Sequence, residues 1–92
     1  MESTFPLFSL GRIVATPTAL SRISNAGIQS ALWRHAHGDW GDICAADRQL
    51  NEDSLKHGGR LLSAYHTSDD TTFWIITEAD RSATTVLLPW EY

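Results

Sequence analysis

The last third of the chain most constrains its fold. Residues 60–67 alternate apolar and polar side chains, 72–78 are β-branched and aromatic, and 84–88 continue in the same vein. Ser68-Asp69-Asp70 and Ala79-Asp80-Arg81-Ser82 separate these runs with short polar segments of turn chemistry. Strands joined by turns this short pair antiparallel, because a parallel crossover needs about a dozen residues or more. Residues 60–88 therefore predict a three-stranded meander ended by Pro89. One face is expected to carry Leu62, Ala64, Phe73 and Ile75, and the other Trp74 and Ile76. Apolar residues on both faces imply that both are covered, the second by the C-terminal segment or by a second copy in a homodimer.

The first two thirds read differently. Residues 7–14 alternate loosely, with Phe8, Leu10 and Val14 on one side, and predict a strand with Gly11 at a bulge or close approach. Thr16-Pro17 is a helix start, with Thr16 as cap and Pro17 in the first turn. Leu20 and Ile23 share a face of that helix, and Asn25-Ala26-Gly27 is expected to stop it. A second helix is expected over 30–37, with Leu32, Trp33 and Ala36 inward, closed by Gly38. A third, capped by Asp39 or Asp42, runs to Lys56 or His57, with Ile43, Ala46, Leu50 and Leu55 inward and Gly58-Gly59 as its stop. Asn51-Glu52-Asp53 is a possible break. The expected fold is α+β: an N-terminal strand and two to three short helices packed on a three- to four-stranded antiparallel meander sheet, forming one domain over 1–92.

The length of 92 residues suits one domain, and 42% hydrophobic with 20% charged residues is an ordinary globular balance. The net charge of −4 argues against nucleic acid as the partner, since phosphate neutralisation supplies most of such affinity. A single cysteine, Cys44, excludes an internal disulfide and is read as a buried core thiol. The start of the chain has no signal-peptide pattern and no stretch reaches the roughly 20 apolar residues of a membrane span, so a cytoplasmic location is expected.

Chemistry-bearing motifs are few. The four histidines are His35, His37, His57 and His66, and their spacing matches no metal-ligand pattern, so neither metal nor cofactor is expected. Ser residues form no nucleophile elbow, and no phosphate-binding glycine loop is present. His66 and Arg60 on one predicted strand share an outline with barnase-like and RelE-like ribonucleases, in which helices precede an antiparallel sheet. There His66 would move a proton, with Arg60 and Arg81 stabilising the phosphate and His35 as a second acid/base. Four tryptophans are many for this length, and exposed Trp and Tyr are natural interface anchors. Trp90 and Tyr92 are expected to fold back on the sheet. If a protein partner is bound instead, Asp39, Trp40, Asp80, Arg81, Trp90 and Tyr92 are the candidate contacts.

Arg34-His35, Gly38-Asp39-Trp40-Gly41, Arg60-Leu61-Leu62-Ser63-Ala64-Tyr65 and Ile76-Thr77-Glu78-Ala79-Asp80-Arg81-Ser82 followed by Thr84-Thr85 resemble a family of small proteins encoded on bacterial plasmids and integrated mobile elements. The ending, Leu87-Leu88-Pro89 with Glu91-Tyr92, shares the likeness, which spans nearly the whole chain. The resemblance implies a mobile-element accessory protein and carries no established activity. The favoured reading is a protein-binding module that inhibits a host defence complex, of anti-restriction or anti-CRISPR type. The alternative is a metal-independent ribonuclease-like toxin or effector.

Overall fold

A computed structural model describes residues 5–92. The order is β1 (Arg12–Ala15), α1 (Pro17–Arg22), α2 (Asn25–Ala36), α3 (Ala45–His57), β2 (Leu61–His66), β3 (Thr72–Thr77) and β4 (Ala83–Leu87), closed by a 3-10 turn at Pro89–Glu91. The expected α+β class holds, and β2-β3-β4 form the antiparallel meander. The sheet as a whole is mixed, because β1 joins β4 in parallel to give the order β1-β4-β3-β2. The three helices between β1 and β2 make that parallel pairing possible.

Thr16 caps α1 as expected, its hydroxyl accepting from the Ala19 amide at 3.1 Å. The stop comes earlier than the sequence suggested. Ser24 caps α2 by accepting from the Gly27 amide, so Asn25-Ala26-Gly27 opens the second helix and does not close the first. Ala19 and Ile23, spaced i and i+4, face inward, while Leu20 is exposed. In α2 the buried members are Ile28, Ala31, Leu32, His35 and Ala36, and Trp33 lies outside that stripe.

Cross-strand register decides which residues share a face. Ser63 pairs with Ile75 and Tyr65 with Phe73, so these four point the same way. Leu62 and Ala64 pair with Ile76 and Trp74 and lie on the other face, which corrects the expected grouping. The core under the helices joins Tyr65, Phe73, Ile75, Val86 and Leu88 to Ala19, Ile23, Ile28, Ala31 and Leu32. On the other face, Tyr92 stands edge-on to Trp74 with ring centroids 5.9 Å apart, and Arg60 stacks on Tyr92.

α3 is continuous through Asn51. Its expected inward residues Ala46 and Leu50 are exposed, and Asn51 is buried in their place. The Asn51 amide closes the outer edge of β2: Nδ2 donates to the Leu62 carbonyl at 2.7 Å and Oδ1 accepts from the Leu62 amide at 3.0 Å. Two residues further along the same edge, the Ala64 amide donates to the Trp40 carbonyl and the Asp42 amide donates to the Ala64 carbonyl. Cys44 is the exposed residue before α3, with no side-chain cap, so the expected core thiol is corrected.

Gly41 makes the second contact with β2 possible. Its φ of +75° lies in the left-handed region, and a Cβ there would collide with the Ala64 carbonyl and the Tyr65 ring. Gly41→Ala is therefore expected to destabilise the protein by about 2 kcal/mol or more. A urea unfolding midpoint equal to that of the parent chain would show that the connector yields without cost.

Candidate functional site

The residues considered for ribonuclease chemistry do not converge. Arg60 immediately precedes β2 and His66 ends it, so about 20 Å of strand separates them at roughly 3.3 Å per residue. Arg60 is held by Tyr92, to whose hydroxyl it also donates a hydrogen bond. His66 Nε2–H donates to Asp42 Oδ2 at 2.9 Å, and its Nδ1 shares a hydrogen bond of 3.0 Å with Thr72 Oγ1. Arg81 is committed to the backbone. Its guanidinium donates to the carbonyls of Gly59 and Ser54 at 2.6 and 3.0 Å and to those of Glu78 and Ala79. A cation at the carbonyl-rich end of α3 is favourable there.

His35 is fully buried at the centre of a hydrogen-bond chain. Nδ1 lies 2.5 Å from Ser63 Oγ, and Nε2 lies 2.9 Å from Thr77 Oγ1. Thr77 Oγ1 is 2.7 Å from Thr84 Oγ1, which in turn donates to the Leu10 carbonyl at 2.7 Å. Each hydroxyl has one proton, so the direction of every bond is set. Thr84 gives its proton to Leu10 and accepts from Thr77. Thr77 then accepts from His35 Nε2–H, and Ser63 donates to Nδ1. Phe8 and Trp40 wall the ring edge-on at 5.3 and 5.7 Å. Burial, aided by the Arg81 charge, pushes the His35 pKa down to about 4.

Among the residues considered for partner binding, Asp39 pairs with Arg34 through Nε at 2.7 Å, and that bond lowers the Asp39 pKa and raises that of Arg34. Arg34 also lies over the Tyr65 ring, whose hydroxyl donates to the Asp39 carbonyl at 2.5 Å. Burial pushes Tyr65 up to about 12. Trp40 is buried, stacked on Phe8, with its indole N–H on Glu52, so it cannot be a contact residue as the sequence suggested. Asp80 is exposed and accepts from the Ser82 amide. Trp90 and Tyr92 remain 71% and 64% exposed. This corrects the expectation that they fold back on the sheet, although the backbone between them is tied down, Glu91 accepting from Thr16 Oγ1 and the Leu88 amide, both at 2.8 Å. The two aromatic rings nevertheless stay open to solvent.

Sequence reasoning missed a groove of about 940 Å³ between α2 and the segment leading into β1. Leu7, Leu10, Ile13, Leu32, Trp33 and Ala36 form its apolar lining, and Leu7, Ile13 and Trp33 are 54, 52 and 55% exposed. His37 stacks on Trp33 with centroids 4.0 Å apart and donates from Nδ1 to the Trp33 carbonyl. Its Nε2 is buried and has no hydrogen-bond partner among the described residues. The available signal was Trp33 itself, a large aromatic off the Ile28–Leu32–His35 stripe.

Among the described residues no group of His, Cys, Asp and Glu is arranged to hold a metal ion, and no helix is long and apolar enough to cross a membrane. No family model, characterised protein or solved structure matches the chain.

The buried imidazole makes stability depend on pH. The unfolded histidine takes up a proton near pH 6.5, whereas the folded one resists until about pH 4. Stability is therefore fully present above pH 6.5 and declines by roughly 3 kcal/mol as the pH falls toward 4. Urea unfolding at pH 7.5, 5.5 and 4.5 measures this, with His35→Gln expected to be less stable at pH 7.5 but flatter across the window. An unchanged midpoint in the parent chain from pH 7.5 to 4.5 would refute a neutral buried ring.

Proposed function

We propose that the chain is a protein-binding module and that the groove between α2 and the approach to β1 is its docking surface. The clustering of Leu7, Ile13 and Trp33 carries this reading, each more than half exposed around one concavity. A large aromatic at the rim of an apolar groove is the usual anchor of a protein interface, because it buries much area at little conformational cost. The orphaned His37 Nε2 supports the same reading, since a buried acceptor without a partner is costly until something supplies a donor. Trp90 and Tyr92 are two further exposed aromatic residues, Tyr92 edge-on to Trp74 on the face away from the helices. In the mobile-element setting implied by the resemblance, the partner is a host defence complex and the module its inhibitor.

Capture of partners from a bacterial lysate by the tagged chain, followed by calorimetry with the purified partner, tests the proposal. Trp33→Ala is expected to weaken binding by more than about 1 kcal/mol, with the fold intact because the side chain contributes little to the core. Leu20→Ala, exposed but outside the groove, is expected to bind as the parent does. A partner held equally well by both variants would remove the groove from the interface.

A further inference from the structure

We propose that the groove binds an extended segment of its partner, which adds to the open edge of β1 as a fifth strand of the sheet. This inference rests on the docking role of the groove and specifies what fills it.

The two outer edges of the sheet are treated differently. The β2 edge is closed by the Asn51 side chain and by the Gly41 segment. β1 forms the opposite edge, and its backbone pattern follows from two bonds. The Arg12 amide donates to Ser82 and the Thr16 amide to Val86. In a parallel ladder every second residue faces the neighbour, so Val14 continues this series toward β4. Ile13 and Ala15 then turn their amides and carbonyls outward, with no neighbouring strand on that side among the described residues. An extended backbone is the group that can satisfy a row of alternating donors and acceptors.

Side-chain chemistry narrows the occupant. Ile13 pairs in register with Thr84, whose side chain belongs to the helix-side network, so Ile13 also faces the groove. A strand laid beside β1 would send alternate side chains into the space between Ile13, Leu32 and Trp33, which is apolar. Charge selects further. Among the described residues no carboxylate lines the groove, although the chain carries 11 acidic residues against 7 Lys and Arg, and β1 contributes the exposed Arg12 on the face opposite Ile13. The segment is therefore apolar at alternate positions, with an acidic residue beside Arg12. A second copy fits less well, because two chains of net charge −4 repel and β1 offers no carboxylate to the Arg12 of its mate.

The test uses the full chain and a phage-displayed library of random linear peptides. The expected winners alternate apolar residues, carry an acidic residue and bind in the micromolar range. With a synthetic winner, amide exchange at Ile13 and Ala15 should slow by at least about ten-fold. Trp33→Ala should lose the peptide and Leu20→Ala, exposed but outside the groove, should retain it. Peptides that bind while the Ile13 and Ala15 amides exchange as before would overturn strand addition and leave the docking role standing. Protection of those amides by concentration alone, without peptide, would make a second copy the occupant and overturn the proposal. Failure of any peptide to bind, with a lysate partner that Trp33→Ala releases, would assign the groove to a folded surface.

Discussion

The chain of hydrogen bonds through His35 is the constraint on which the rest of the molecule depends. It runs from Ser63 on β2 to His35 on α2, through Thr77 on β3 and Thr84 on β4, to the carbonyl of Leu10. Four elements and the N-terminal approach are thereby tied at one point inside the core. Such an arrangement is favourable only when complete, since removing one member strands a buried donor or acceptor at a cost of about 1–3 kcal/mol. The aromatic walls serve the same end. Phe8 and Trp40 keep water from the ring, and Arg81, lying 5.7 Å from the Phe8 centroid, helps hold the imidazole neutral.

The same network places the docking groove. Leu7, Phe8 and Leu10 form one wall of it. Leu10 is fixed by Thr84, Phe8 by His35 and Trp40, and Leu7 by its amide, which donates to the Ala36 carbonyl at 2.8 Å. α2 supplies the other wall, and His35 anchors α2 from within. A rigid wall lowers the ordering cost of binding, because little of the surface has to be immobilised when a partner arrives.

Local chemistry was legible in the sequence, and long-range pairing was not. The turns at Ser68-Asp69-Asp70 and Ala79-Asp80-Arg81-Ser82, the Thr16 cap and the glycines after α3 each act within a few residues, so their meaning survives without a structure. The face of β2 was misassigned for a physical reason. Ser63 looks like a solvent-facing residue until its partner His35, 28 residues earlier, is known, and moving it inward reverses the parity of Leu62 and Ala64. Asn51 was read as a helix breaker because its partner is the Leu62 backbone. Trp33 and Trp40 exchanged roles likewise: the Glu52 carboxylate and the Phe8 ring that bury Trp40 come from distant parts of the chain. Of the expected contact residues, Asp39, Asp80, Trp90 and Tyr92 kept the exposure a contact role needs, whereas Trp40 is buried and Arg81 is held by backbone carbonyls, and the groove was not visible at all.

The unequal treatment of the two sheet edges follows from how each strand meets its surroundings. An exposed edge invites association with any extended chain, and proteins ordinarily blunt it with a covering segment, a charge or a bulge. β2 has the covering segment: Gly41, in a conformation that suits glycine, lets the backbone approach Ala64, and a buried asparagine substitutes for the missing strand at Leu62. β1 has a length of four residues and one arginine. Its short span limits the number of backbone bonds a stray chain can form, so nonspecific pairing stays weak. Specific affinity must then come from side chains, and the groove beside Ile13 is where the apolar contact area lies. A short open edge beside an open apolar groove thus discriminates in favour of a segment whose backbone and side chains both fit.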